Sequence, residues 1–224
     1  MIAVAPSIEA PAVGECLRRA VRDFYEESWR LVVLNCTLST YVLVVLAVAF
    51  YFPVFALLLL GVGPLAAGLV ATAVRIVEEG SVTFRETVAD IRRTWRRGLM
   101  LVTFAAAAAL ATVGAAVFYG GGGTVGWTLA VLVLYLGGIF ALFQLVLWPL
   151  AIRDPSRPLR EAARDAGHVL LRRPAATTGL GVALLAVNLV GLVAAVLPFL
   201  TMTIAYSALA AARFTLPLAP LEEG

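Results

Sequence analysis

An all-α polytopic membrane bundle is the fold class this sequence predicts, and three observations predict it. Of the 224 residues, 62% are hydrophobic and 14% charged, and the mean hydropathy is +0.96. A soluble domain of this size needs far more charge to cover its surface. No Asp, Glu, Lys or Arg occurs in residues 31–74, 98–152 or 174–212. Each of these stretches exceeds the roughly 20 residues that span a bilayer and is about long enough for two crossings. Finally, every basic residue is an arginine, and the arginines gather at the ends of the apolar stretches. Backbone polar groups in lipid must be satisfied within their own segment, so the crossings are helices. The expected architecture is about six transmembrane helices arranged as three hairpins, each preceded by a cytoplasmic amphipathic helix.

Residues 1–16 read as a flexible N-terminal segment, 17–217 as one membrane domain and 218–224 as a tail. Within the domain, residues 17–30 carry Arg18, Arg19, Arg22 and Arg30 and form the first amphipathic helix. A first span follows, about Leu31 to Phe52, and Pro53 marks a tight turn. The second span, about Val54 to Val77, contains Gly61, Gly63, Pro64 and Gly68. These glycines serve close helix packing or, as the alternative, a broken helix at a binding site. A charged segment, EEGSVTFRETVADIRRTWRRG, leads into an alanine-rich third span, about Gly98 to Tyr119. Gly120 to Gly123 form an uncharged link to the fourth span, about Val125 to Ile152. A second charged connection, RDPSRPLREAARDAGHVLLRRP, precedes the last apolar block, about Ala175 to Ala212. That block is expected to bend at Pro198 into spans five and six; Arg213 at its end favours two crossings over one long, kinked crossing.

The positive-inside rule sets the orientation. The hairpin tips near Pro53, Gly120 and Pro198 carry no arginine, so both termini are expected in the cytoplasm of a bacterial cell, with the chain in its inner membrane. The N-terminus lacks a basic region followed by an apolar core, so no cleaved signal peptide is expected. Cys16 and Cys36 both fall at or near the cytoplasmic side, where a disulfide is not expected. The net charge of +3 is small and its arginines border apolar spans. Topology accounts for that pattern, and nucleic acid is not an expected partner.

The three cytoplasmic segments superimpose without gaps. Arg18, Arg85 and Arg160 coincide, as do Asp23, Asp90 and Asp165, and Arg30, Arg97 and Arg172. So do the apolar rows Leu17, Phe84 and Leu159; Val21, Val88 and Ala163; and Phe24, Ile91 and Ala166. Their spacing of i, i+4, i+7 is one helix face. The units 17–80, 84–153 and 159–213 thus read as a candidate threefold repeat of helix plus hairpin. The alternative is that any interfacial helix places arginines and apolar residues this way. Under either reading Arg18, Arg30, Arg85, Arg97, Arg160 and Arg172 are the candidate contacts for a partner or for anionic lipid headgroups.

No charged residue lies at the centre of a span, Arg75 and Arg213 being at span ends, which disfavours a proton relay or an ion pump that depends on a membrane carboxylate. Asn35, Gln144 and Asn188 are the candidate polar lining, with interhelical hydrogen bonding as the plainer account. No metal, cofactor or catalytic residue is expected: His168 is the sole histidine, and no phosphate-binding loop or nucleophile elbow occurs. The sharpest enzyme reading, a lipid-modifying site, needs Asp23, Asp90 and Asp165 gathered about a threefold axis.

At WRLVVLN (29–35), GVGPLAAGLVATAVRIVEEG (61–80) and FRETVADIRRTWRRGLMLV (84–102) the chain resembles the YesL-like family of bacterial membrane proteins of unknown function. The likeness runs from about Leu17 to Pro217 and is strongest before span four. It implies a genomic setting beside carbohydrate-uptake transporters and supplies no active-site residues. The expected function is a non-enzymatic accessory or scaffold linked to uptake of carbohydrate or another solute, with a membrane transporter complex as candidate partner. The alternatives are a small autonomous transporter or channel for a neutral solute and, after it, the lipid-modifying enzyme.

Overall fold

The structure is a computed structural model describing residues 12–194 and 202–218, and those residues are helical almost throughout, with no strand among them. The elements are α1 (Val13–Glu26), α2 (Ser28–Tyr51), a 3-10 segment (Pro53–Gly61), α3 (Val62–Glu79), α4 (Phe84–Gly120), α5 (Gly123–Arg153), α6 (Leu159–Arg172), α7 (Pro174–Ala194), α8 (Ile204–Thr215) and a 3-10 turn (Leu216–Leu218). Five stretches are long and apolar enough to cross a membrane: Trp29–Tyr51, Pro53–Glu79, Phe84–Gly120, Gly123–Arg153 and Pro174–Val193. That is the pattern of a multi-pass membrane protein.

The first four stretches fall where the charge-free runs place them, with one difference. The charged segment before span three is not a separate helix. Residues 84–97 continue into the apolar run as one 37-residue helix, because neither proline nor a turn residue interrupts the chain between Phe84 and Gly98. Its start is set by Gly80, whose φ of 82° ends α3, and by Thr83. The Thr83 hydroxyl accepts from the Glu86 N–H, while the Glu86 carboxylate accepts from the Thr83 N–H. These two bonds form a capping box. The described part of the last block ends in α8, 12 residues long, and residues 195–201, with Pro198 and the expected bend, lie outside the described residues.

The core is built from α3, α8 and the C-terminal half of α5, which pack on one another. Helix α1 lies on α8, α6 on α5, and the start of α4 on α3. Small residues make these contacts close. A Cβ added at Gly63 would lie 2.5 Å from the Gly98 carbonyl oxygen, and one at Gly98 would lie 2.6 Å from the Ala67 Cβ. Gly68 likewise faces Ile91 and Gly61 faces the Tyr41 ring. Helix packing therefore accounts for the glycines of span two. The chain does change from 3-10 to α geometry at Gly61, and the Tyr41 hydroxyl there donates to the Leu58 carbonyl at 2.7 Å.

Candidate functional site

The three aligned aspartates are buried or nearly so, each beneath a different helix. Asp90 on α4 accepts from Nε and Nη2 of Arg75 on α3, at 3.1 and 3.0 Å. Asp23 on α1 accepts from Arg213 Nε near the end of α8, at 2.7 Å. Asp165 on α6 pairs with Arg157, in the connection just before that helix, at 3.4 Å. Hydrogen-bonded pairing is what allows a carboxylate to sit under a helix away from solvent. The triad is thus distributed over separate helix contacts, each member held by its own arginine.

The faces that carry them differ in part from the aligned apolar rows. On α1 the buried stripe is Cys16, Ala20 and Asp23, while Val21 is 57% exposed. On α4 it is Thr87, Asp90 and Thr94, and Phe84 is 54% exposed. On α6 it is Ala162, Ala166 and Val169. On α1 and α4 the most buried stripe is rotated by about one residue from the expected rows, whereas on α6 Ala166 of those rows is buried and Leu159 and Ala163 pack against the core. Hydrophobicity alone misplaces the stripe on α1 and α4 because small and polar side chains, not the largest apolar ones, fit where two helices approach closely. The register of the alignment nevertheless matches burial: Ala20, Thr87 and Ala162 occupy one aligned position, and all three are buried.

The candidate arginines divide into two sets. Arg18, Arg85, Arg160 and Arg172 are exposed. Arg97 is turned inward: Nη1 donates to the carbonyls of Ala151 and Asp154 at 2.7 and 2.8 Å, and Nη2 to that of Arg157. A helix C-terminus leaves carbonyls without intrahelical donors, and Arg97 supplies them for α5. Arg30 is half-buried, donates to Glu27 and lies 5.2 Å from the Trp29 ring centroid. The exposed set also includes Arg22 and Arg164, which align with each other and with Ala89, and Arg92 and Arg96, which have no aligned arginine.

Beside the Arg75–Asp90 pair lies a cleft of about 230 Å³, lined by Glu78, Glu79, Arg93, Thr94, Arg153 and Pro155 together with the pair itself. Arg153 bonds Glu78 at 2.7 Å and so ties the end of α5 to the end of α3. The cleft's three arginines face three carboxylates, which gives it no net charge to attract an ion. Just beyond it, the Ser156 hydroxyl and N–H hold the Asp154 carboxyl below the usual carboxylate range. Burial pushes the Cys16 thiol up, and both cysteines are free. Among the described residues no group of three His, Cys, Asp or Glu is placed to hold a metal, and His168 is exposed.

The candidate polar lining also divides. The fully buried Asn35 accepts at Oδ1 from the Ala205 N–H, 3.1 Å away, joining α2 to the start of α8. Asn188 donates to the Leu184 carbonyl and to the Ser207 hydroxyl, joining α7 to α8. These two are interhelical bonds. Gln144 differs, for neither Oε1 nor Nε2 has a partner, though the residue is only 8% exposed.

No family model, curated protein or solved structure matches this chain.

Proposed function

We propose that the chain is a non-enzymatic membrane scaffold whose outward arginines hold anionic lipid headgroups and the acidic surface of a membrane transporter complex it serves. The observation that carries this reading is the division among the arginines. Arg75, Arg97, Arg153 and Arg213 tie helices together, while Arg18, Arg85, Arg160 and Arg172 are exposed. An arginine fork suits phosphate and carboxylate alike.

In this reading the bundle has about six spans in three hairpins, each led by an amphipathic helical segment. Both termini and the arginine-bearing end lie in the cytoplasm of a bacterial cell, as the positive-inside rule requires. The role in uptake of carbohydrate or another solute rests on the likeness to the YesL-like family. A transport path of its own has less support. The cavity among α2, α3, α5 and α8, about 190 Å³, is lined by apolar residues apart from Ser207, and that hydroxyl already bonds Asn188 and the Thr203 carbonyl.

The test is mild crosslinking in native membranes, followed by purification and mass spectrometry of proteins and lipids. Wild type should retain anionic lipid and a stoichiometric permease or ATPase. The combined variant R18Q/R85Q/R160Q/R172Q should lose both while remaining folded. Equal recovery of lipid and partner with the variant refutes the role of these arginines, and a protein that emerges alone refutes the scaffold.

A further inference from the structure

Between helices α4 and α5 lies a furrow of about 520 Å³, lined by Ala105, Ala109, Leu134, Gly138, Ala141 and Gln144 among others. A Cβ added at Gly138 would meet no atom within 4 Å, so the furrow is open there. Its volume lies in the range of small-molecule sites, roughly 300 to 1,000 Å³, and so does its character: apolar walls with few polar groups. Here the polar groups are the Thr112 hydroxyl, which donates to the Ala108 carbonyl, and the Gln144 amide, buried and with both heteroatoms unpaired. A buried amide without hydrogen bonds is costly in an apolar setting, which marks this one as waiting for a ligand.

The position of the amide restricts the ligand. Gln144 lies about 13 Å along the α5 axis before Arg153, at 1.5 Å per residue, well inside the apolar run. A charged group is costly at such depth, so the ligand is uncharged there. Oε1 needs a donor and Nε2 an acceptor. One hydroxyl supplies both roles, whereas a ketone or ester carbonyl supplies only the second. A second copy of the chain does not fit. A helix is about 10 Å across with its side chains and would rest on the rim of the furrow. The Gln144 amide, closed to solvent in this structure, turns into the furrow to meet a ligand's hydroxyl. A single slender chain enters.

We propose that the α4–α5 furrow binds a long-chain alcohol, its apolar chain lying between the helices and its hydroxyl donating to Gln144 Oε1 and accepting from Nε2. Straight fatty alcohols and branched isoprenoid alcohols share this chemistry.

The experiment uses the full chain in neutral phospholipid nanodiscs and hexadecanol bearing a diazirine in its chain. After photolysis, labelled peptides are located by mass spectrometry. Label is expected in residues 105–113 and 134–144. It should fall about tenfold for Gln144→Leu, and similarly for a diazirine alkane of equal length on wild type. Gly138→Leu, which fills the furrow and keeps the amide, should also block labelling. Stronger competition by farnesol than by unlabelled hexadecanol assigns the isoprenoid class, and the reverse order assigns the straight chain. Gln144→Leu removes an unpaired amide and should fold at least as stably as wild type. Equal labelling by alcohol and alkane, or labelling insensitive to Gln144→Leu, overturns the proposal. So does disulfide capture of two copies through Gly138→Cys without alcohol labelling, which would give the furrow to a second copy.

Discussion

Helices α4 and α5 each belong to two different environments. At the arginine-bearing end they form part of the core. All the buried residues of α4 (Thr87, Asp90, Thr94, Gly98 and Leu101) lie in its first half, and those of α5 are concentrated from Gln144 to Ile152. Toward the Gly121 turn the same helices present Phe118, Val117, Val125 and Trp127 outward, each more than 60% exposed. At the first end residue identity is dictated by contact with another helix or by a bond to a named atom. At the second, an apolar side chain of any shape meets the demand of lipid. The comparison teaches where this sequence is specific, and substitutions along a single helix can break or sharpen it.

The largest effect is expected at Gly98, where α4 crosses α3. Gly98→Leu drives a side chain against the Gly63 backbone and the Ala67 Cβ. Overpacking a site that cannot yield costs about 3 kcal/mol or more. Gly114→Leu, further along the same helix, meets no neighbour within 4 Å and replaces a poor helix former by a good one. It should change stability by less than about 0.5 kcal/mol, or raise it. Unfolding of the detergent-solubilised protein, followed by circular dichroism, compares the two. Similar losses at both positions would mean that the far half of α4 is as tightly constrained as the near half.

Next comes Arg97, which serves three carbonyls at the end of α5. Arg97→Leu should cost about 2 to 3 kcal/mol, since hydrogen bonds from a charged donor contribute more than neutral ones. The loss should also be local, with faster amide exchange at residues 152–158. Arg96→Leu, one residue away but exposed and set against its neighbour Trp95, should leave both readouts nearly unchanged. If the two variants behaved alike, Arg97 would be one more surface arginine.

The sequence discloses these two environments unequally. Charge-free runs delimit the first four spans because the bilayer imposes a length, and a length is countable. Gly80 and the Thr83–Glu86 cap are likewise local chemistry, readable from neighbouring residues. The most buried faces of α1 and α4 were not readable in the same way, because Ala20, Thr87 and Asp23 face in where Val21 and Phe84 face out. A periodicity count ranks residues by hydrophobicity, whereas close helix approach selects by size and by the partner waiting opposite. Arg97 aligned with Arg30 and Arg172 as a charge, yet its three acceptors lie more than fifty residues further along the chain, and nothing local announces them. Gln144 was visible as a polar residue in an apolar run, while its lack of a partner is a property of the assembled helices alone.

The smallest of these effects, and the finest probe, concerns the ion pairs. Arg75 and Asp90 are joined by two bonds, Asp90 being 7% exposed. Arg22 and Glu26 on α1 stand 4.0 Å apart with both side chains well exposed. Screening and side-chain entropy leave an exposed pair of that kind about 0.3 to 0.5 kcal/mol. Removing one partner of the buried pair strands the other charge, so each single substitution overstates the interaction. A double-mutant cycle with Arg75→Leu and Asp90→Asn cancels that excess, and the coupling energy should be about 1 to 2 kcal/mol. The same cycle at Arg22 and Glu26 should give no more than about 0.5 kcal/mol. Equal couplings would erase the distinction between arginines that hold the bundle together and arginines that face outward, and with it the ground for assigning the outward set to headgroups and partners.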